Sequence, residues 1–238
     1  MKLLALDTST DTLSLALQCG PSTVLQHTGS GGAQASATVL AQIMTLLRQA
    51  GCSLRSLDAI VIGAGPGAFT GLRTACAVAQ GLALGADLPV LPLSTLLALA
   101  EEGRHQHQGP TPQDVAVYAV LDARMHEVYH AHYRFRAAGA QWQALSEASL
   151  CAPQTLRLPD DALIVGNAFA VYAADWPAGG QARLNALPTA TALLRLAPAA
   201  LAQGQALAPE QAQPLYVRDK VAQTTQERQA LRDAPTPA

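Results

Sequence analysis

Leu3-Leu4-Ala5-Leu6-Asp7-Thr8-Ser9-Thr10-Asp11-Thr12-Leu13-Ser14-Leu15-Ala16-Leu17 is the stretch whose reading decides the fold. The apolar run Leu3–Leu6 enters a polar cluster, Asp7 to Asp11, of the kind that turns a chain. Leu13, Leu15 and Leu17 then alternate with Ser14 and Ala16, which is the period of a strand. Val24–His27 supplies a third strand, so the chain opens on a meander that the Gly/Ser segment Gly29–Gly32 ends.

Outward from there, Val39, Leu40, Ile43, Met44, Leu46 and Leu47 recur at helical spacing, and Gly51 stops the run. Leu57–Ile62 reads as a buried strand that feeds the glycine-rich segment Gly63–Gly71. Residues 72–84 read as a helix of small side chains with Gly85 as its C-cap. Pro89–Leu93 is another strand, and Ser94 caps a helix through Leu99. Gly103–Asp114, polar and rich in Gly and Pro, reads as a linker. The pattern then restarts, with strands expected at Val115–Leu121, Glu127–Phe135, Gln141–Leu150 and Leu163–Val165. Helices are expected near Ala168–Ala174 and Thr189–Ala202. The expected organisation is an N-terminal lobe over 1–104, a C-terminal lobe over 105–218 and a polar tail over 219–238, the two lobes being a duplicated α/β unit.

Composition narrows the function classes. Half of the 238 residues are hydrophobic and only 13% are charged, against about 25% in typical domains. The chain can therefore bury a sizeable core and still have apolar surface for a partner. A net charge of −2 provides no basic footprint for a phosphate backbone, so any nucleic acid is expected to be held by another chain. Cys19, Cys52, Cys76 and Cys151 show no paired spacing, which argues against a zinc site and a disulfide framework and fits a reduced compartment. The run Met1–Leu6 is too short for a signal-peptide core, and no stretch approaches the ~18 apolar residues that span a bilayer. The expectation is a soluble, cytoplasmic protein with no membrane contact.

Three motifs suggest chemistry. His126-Glu127-Val128-Tyr129-His130 matches H-E-x-x-H, which binds zinc when a helix places both histidines on one face. Its flanks are strand-like, and on a strand the two rings stand about 13 Å apart, too far to share an ion. Gly63-Ala64-Gly65 precedes a helix as a dinucleotide fingerprint does, but Pro66 and Gly67 lengthen the turn and Asp87 lies before the next strand. A glycine-rich turn that lets a helix pack closely fits better. Asp7, Thr8 and Ser9, at the end of the first strand, suit either a metal–phosphate or a polar hairpin turn. There is no G-x-S-x-G elbow. On the second helix Ala75, Ala79 and Ala83 make one face nearly flat. The first helix has more apolar circumference than one stripe needs. Burial and partner binding explain that surplus equally well.

In order along the chain, these segments resemble the TsaB (YeaZ) family. The resemblance rests on Leu4–Thr10, on Gly65-Pro66-Gly67-Ala68-Phe69-Thr70-Gly71-Leu72-Arg73, on Asp122-Ala123-Arg124 with Glu127-Val128-Tyr129, and on Pro214-Leu215-Tyr216-Val217-Arg218. It covers residues 1–218. Ala68 stands where the family usually has Ser, and Ala35-Ser36 where it commonly has His-Ser.

The resemblance implies two ribonuclease-H-like lobes of the actin-like/Hsp70-like ATPase fold, with mixed sheets flanked by helices. It also implies a non-catalytic subunit, needing no metal or cofactor, that supports a TsaD-type catalytic subunit alongside a TsaE-type ATPase. That complex makes N6-threonylcarbamoyladenosine at position 37 of tRNA, which this chain would meet only through the complex. The catalytic relative's metal-binding histidines fall on Thr95 and Leu99 here. The implied contact surface spans Ser36–Gln49 and 72–86, with Val39, Ile43, Met44, Leu47, Ala75, Ala79, Leu82 and Ala83 as partner-binding residues. The same surface implies a homodimer when the chain is alone. Asp7, Thr8 and Ser9 become a vestigial nucleotide site. The residues leave two enzymatic alternatives: a metal-dependent hydrolase using His126, Glu127 and His130, or an actin-like-fold ATPase using Asp7 and Thr8.

Overall fold

The computed structural model describes residues 1–20, 23–109, 111 and 113–218; the expected tail over 219–238 lies outside them. Strands β1 (Lys2–Asp7), β2 (Thr12–Cys19) and β3 (Val24–Ser30) form the antiparallel meander. Helix α1 (Gly32–Gln49) follows, and then β4 (Ala59–Gly65), α2 (Phe69–Ala86) and β5 (Val90–Ser94) add parallel strands beside β1. The first sheet thus has the order β3-β2-β1-β4-β5.

After α3 (Thr95–Gln108) the plan repeats. Strands β6 (Val115–Asp122), β7 (Val128–Arg136) and β8 (Gln141–Ala144) form a second meander, with β9 (Ser149–Cys151) also paired to β7. Strand β10 (Ala162–Gly166), short helix α4 (Ala168–Val171), β11 (Arg183–Leu184) and α5 (Ala190–Ala202) follow. The second sheet reads β11-β10-β6-β7-β8, so β6-β7-β8 repeats β1-β2-β3 and β10 takes the place of β4. These are the two lobes of the expected actin-like, ribonuclease-H-like architecture.

Helices cover both faces of the first sheet because its strands are apolar on both sides. Leu4, Leu6, Leu13, Leu15, Ile60 and Ile62 pack against Val39 and Ile43 of α1 and Ala75 and Ala79 of α2. Leu3, Ala5, Val61 and Leu91 pack against Leu193 and Ala197 of α5 on the opposite face. Helix α3 lies on the second sheet through Leu96, Leu99 and Ala100, and α3 and α5 touch, so these two helices form the layer joining the lobes. An ion cluster sits there. Glu101 accepts from Arg104 Nε at 2.8 Å and Nη2 at 2.7 Å, from Arg195 Nε of α5 at 2.8 Å, and from Trp142 Nε1 of β8 at 3.1 Å. Glu102 accepts from Arg195 Nη2 at 2.6 Å and Thr189 Oγ1 at 2.7 Å.

Several expectations are corrected. The stretch from Gly103 is not a linker: α3 continues to Gln108, and Gly103 is buried where a Cβ would come within 2.4 Å of Val165. Arg104 pairs with Glu101, and Arg195 of α5 and the Trp142 N–H of β8 complete the partners of the carboxylates just before the stretch, which polarity along the chain does not reveal. Helix α2 ends not at Gly85 but with Asp87, which takes the left-handed C-cap conformation at φ 59°. The stretch from Gln141 divides into β8 and β9. Cys19 and Cys52 are joined as a disulfide. Helix α1 packs back across β2 and β3 and brings its C-terminal turn to the end of β2, a proximity that spacing along the chain does not encode.

Candidate functional site

Strand β1 ends in a turn built from its own polar side chains. Asp7 Oδ1 accepts the Ser9 N–H at 2.9 Å and Ser9 Oγ at 2.7 Å. Thr8 Oγ1 donates to the Gly71 carbonyl at 2.6 Å, and the Ser9 carbonyl accepts the Ala68 N–H at 2.7 Å. A Cβ on Gly71 would lie 1.7 Å from the Thr8 carbonyl oxygen, so only glycine lets α2 begin this close to the turn. The glycine-rich loop thus serves helix packing, and Asp7 and Thr8 are buried in the joint. Of the three residues expected to form a vestigial nucleotide site, Ser9 alone lines the neighbouring cleft.

Among the described residues Asp7 Oδ2 has no hydrogen-bond partner, and it lies over Gly63, where a Cβ would meet it at 1.9 Å. Burial raises the Asp7 pKa from 3.8 to about 6, against the opposing pull of the two Ser9 hydrogen bonds. A carboxyl with a raised native pKa binds its proton more tightly folded than unfolded. Stability therefore falls as pH rises from about 4 to about 6, by about 3 kcal/mol for such a shift. Asp7→Asn is expected to flatten that slope in urea melts taken across this window. An unchanged slope would refute the assignment.

Between the lobes lies a cleft of about 420 Å³, bordered by Asp11, Phe69, Asp122, Arg124, Asn167 and Tyr216. Asp11, Asp122 and Arg124 satisfy one another. Arg124 pairs with Asp11 across the cleft and with Asp122 at 3.4 Å. Asp122 Oδ1 accepts the Arg124 N–H at 2.7 Å and the Tyr172 hydroxyl at 2.6 Å. In the turn after β6, Arg124, Met125 and His126 have φ of 60°, 56° and 56°. This left-handed conformation costs an ordinary residue roughly 1–2 kcal/mol.

The H-E-x-x-H residues diverge. The His126 ring lies beside Tyr172, 5.6 Å between centroids, and 3.9 Å from Asp175. Glu127 pairs with Arg218, and His130 Nδ1 contacts the Tyr118 hydroxyl at 2.8 Å. Among the described residues no group of three His, Cys, Asp or Glu side chains is placed to hold a metal. Thr95 Oγ1 accepts the Gly65 N–H, and Leu99 is in the core.

The residues expected to bind a partner separate into two sets. Val39, Ile43, Leu47, Ala75, Ala79 and Ala83 are buried in the chain's own core. The small-residue face of α2 lets it approach its own sheet and α1, so the close helix approach inferred from it is intramolecular. Leu82 is half-buried. Met44 is 50% exposed, and with it stand Leu40 at 49% and Leu84 at 74%. Ala37 and Ala41 on α1 and Ala77, Gly81 and Gly85 on α2 are exposed as well. A Cβ on Gly81 or Gly85 would meet nothing within 4 Å. The outward side of the paired helices thus carries exposed apolar residues, with open space over Gly81 and Gly85. The signal for it was an apolar residue on the side away from the sheet-facing stripe, as Leu40 stands beside Val39.

Known proteins agree with this architecture. A family model described as "TsaD: tRNA N6-adenosine threonylcarbamoyltransferase" matches residues 32–226. The tRNA threonylcarbamoyladenosine biosynthesis protein TsaB of Haemophilus influenzae is 34% identical, over 93% of this chain and 95% of its own. The TsaB of Escherichia coli K12 is also 34% identical, over 93% and 96%. The solved structure of YeaZ from Pseudomonas aeruginosa superposes with a TM-score of 0.80 at 36% identity, covering 90% of this chain and 99% of that one. The family model bears the name of the transferase TsaD, but the relatives matching from end to end bear the name TsaB. The chain belongs to the TsaB (YeaZ) family.

Proposed function

We propose that this chain is the non-catalytic partner subunit of the machinery that makes N6-threonylcarbamoyladenosine at position 37 of tRNA. It binds and supports a TsaD-type catalytic subunit, in a cytoplasmic complex that includes a TsaE-type ATPase, and meets tRNA through that complex. The observation that carries this reading is the outer face of α1 and α2, where Leu40, Met44 and Leu84 stand exposed among alanines and glycines. Interfaces bury apolar cores depleted of charge, and exposed patches of this kind mark association sites on soluble proteins. Alone, the same face pairs two copies of the chain.

The inter-lobe cleft supports the non-catalytic part of the reading. Asp11, Asp122 and Arg124 are engaged with each other, Arg218 with Glu127, Thr8 with a backbone carbonyl, and Asp7 is sealed beneath the loop. Calorimetric titration of Mg-ATP into the isolated chain checks this directly. The expected result is no binding at micromolar nucleotide; binding abolished by Asp7→Asn would return the ATPase alternative to first place.

A further inference from the structure

The Pro214–Arg218 element has no part in the surface just described, and its path crosses the cleft. We propose that residues Ala212–Arg218 form a clasp holding the two lobes closed on the cleft side, with Arg218 as its catch. The segment first fastens to the N-terminal lobe. Gln80 Nε2 donates to the Ala212 carbonyl at 2.9 Å, and the Leu215 N–H donates to the Ala64 carbonyl at 2.7 Å. A Cβ on Gly65 would lie 2.5 Å from the Leu215 carbonyl oxygen, so the clasp lies flush on the end of β4. Arg73 Nε donates to the Tyr216 hydroxyl at 3.0 Å, and the Tyr216 ring lies 5.3 Å from that of Phe69.

Two residues later the clasp reaches the C-terminal lobe. Arg218 Nη2 donates to the Ala123 carbonyl at 3.0 Å and to Glu127 Oε2 at 2.5 Å. Both partners flank the left-handed turn Arg124–His126. A turn of this conformation persists where its surroundings over-determine it: the Ala123 N–H donates to the Glu127 carbonyl at 3.0 Å, the Glu127 N–H to the Arg124 carbonyl at 3.1 Å and the Arg124 N–H to Asp122, and Arg218 ties that closed turn to the clasp. A second tie across the cleft, Arg124 to Asp11, leaves those side chains 66% and 78% exposed. Exposed ion pairs contribute little, whereas the Arg218 side chain is only 14% exposed and its hydrogen bonds are charge-assisted. With Glu127 at 37%, this pair is the less exposed of the two ties and the one with more hydrogen bonds. Tyr216 and Leu215 of the clasp line the cleft together with Met125 of the turn, so releasing the catch uncovers the cleft and frees the lobes to open.

Hydrogen exchange of the full chain tests the clasp, with amide protection read by mass spectrometry over residues 122–128. Arg218→Ala is expected to speed exchange there about tenfold to a hundredfold, the factor that loss of charge-assisted hydrogen bonds implies. Asp11→Ala is expected to change it less than about threefold. Glu127→Gln keeps the side-chain shape and removes its charge, so a rise of about threefold or more is expected without risk to folding. A change below threefold in Arg218→Ala, no rise in Glu127→Gln, or an equal effect of Asp11→Ala would overturn the proposal.

Discussion

Replacing Glu101 with alanine is expected to lower the free energy of unfolding by about 3–5 kcal/mol, the cost of breaking a buried ion pair from one side. Burial alone would push the Glu101 carboxyl up. The hydrogen bonds and charges of Arg104, the charge of Arg195 and the Trp142 N–H outweigh it and hold the pKa below its ordinary 4.5. Without Glu101, Arg104 stays buried against the Phe135 ring, 4.6 Å away, with its charge uncompensated. Arg195 and Trp142 each lose an acceptor, and the α3–α5 layer between the lobes loses its central tie. Because a carboxylate with a depressed pKa stabilises the fold only while ionised, part of the same stability is lost in the native chain as pH falls below about 4.5. Urea melts at pH 7 measure the first effect. A loss under 1 kcal/mol would show that the cluster is solvated rather than buried.

Leu84→Asp is expected to weaken binding of a TsaD-type partner at least about thirtyfold, the factor lost with a hot spot of ~2 kcal/mol. At 74% exposure Leu84 contributes little to the fold, so stability should change by no more than about 0.5 kcal/mol. Met44→Asp, on the neighbouring helix, is expected to act in the same direction. Ala79→Arg would be uninformative by comparison, because Ala79 is buried and the variant would disrupt the chain's own core. Calorimetric titration with the purified partner reads the effect. Unchanged affinity in both aspartate variants would move the interface off the outer face of α1 and α2.

The meander, the duplication and the glycine-rich joint were legible in the sequence because each rests on local rules. Leu13, Leu15 and Leu17 show a strand's period directly, and the restart at Val115 shows the second lobe. Tertiary structure hid the rest. Gly103 and the polar residues after it look like a linker until Arg195 and Trp142 arrive from distant segments to satisfy the charges just before them. Cys19 and Cys52 meet only because α1 folds back across β2. At the candidate site, an apolar surplus on α1 and a flat face on α2 were both visible. Which side faces the sheet was not, so Val39, Ile43 and Ala79 were named together with the exposed Met44. Leu84 stood unnoticed on the open side. The role of Arg218 depends on a turn more than ninety residues away.

Reconstituted tRNA modification tests the central claim most directly. Purified TsaD-type and TsaE-type proteins would be given threonylcarbamoyl-adenylate and a tRNA reading ANN codons, with and without this chain, and modified adenosine quantified by mass spectrometry. The account predicts modification that depends on the chain, fails with Leu84→Asp and proceeds at the wild-type rate with Asp7→Asn. Equal modification without the chain would contradict the subunit role. Loss of modification in Asp7→Asn with the complex intact would contradict the non-catalytic reading.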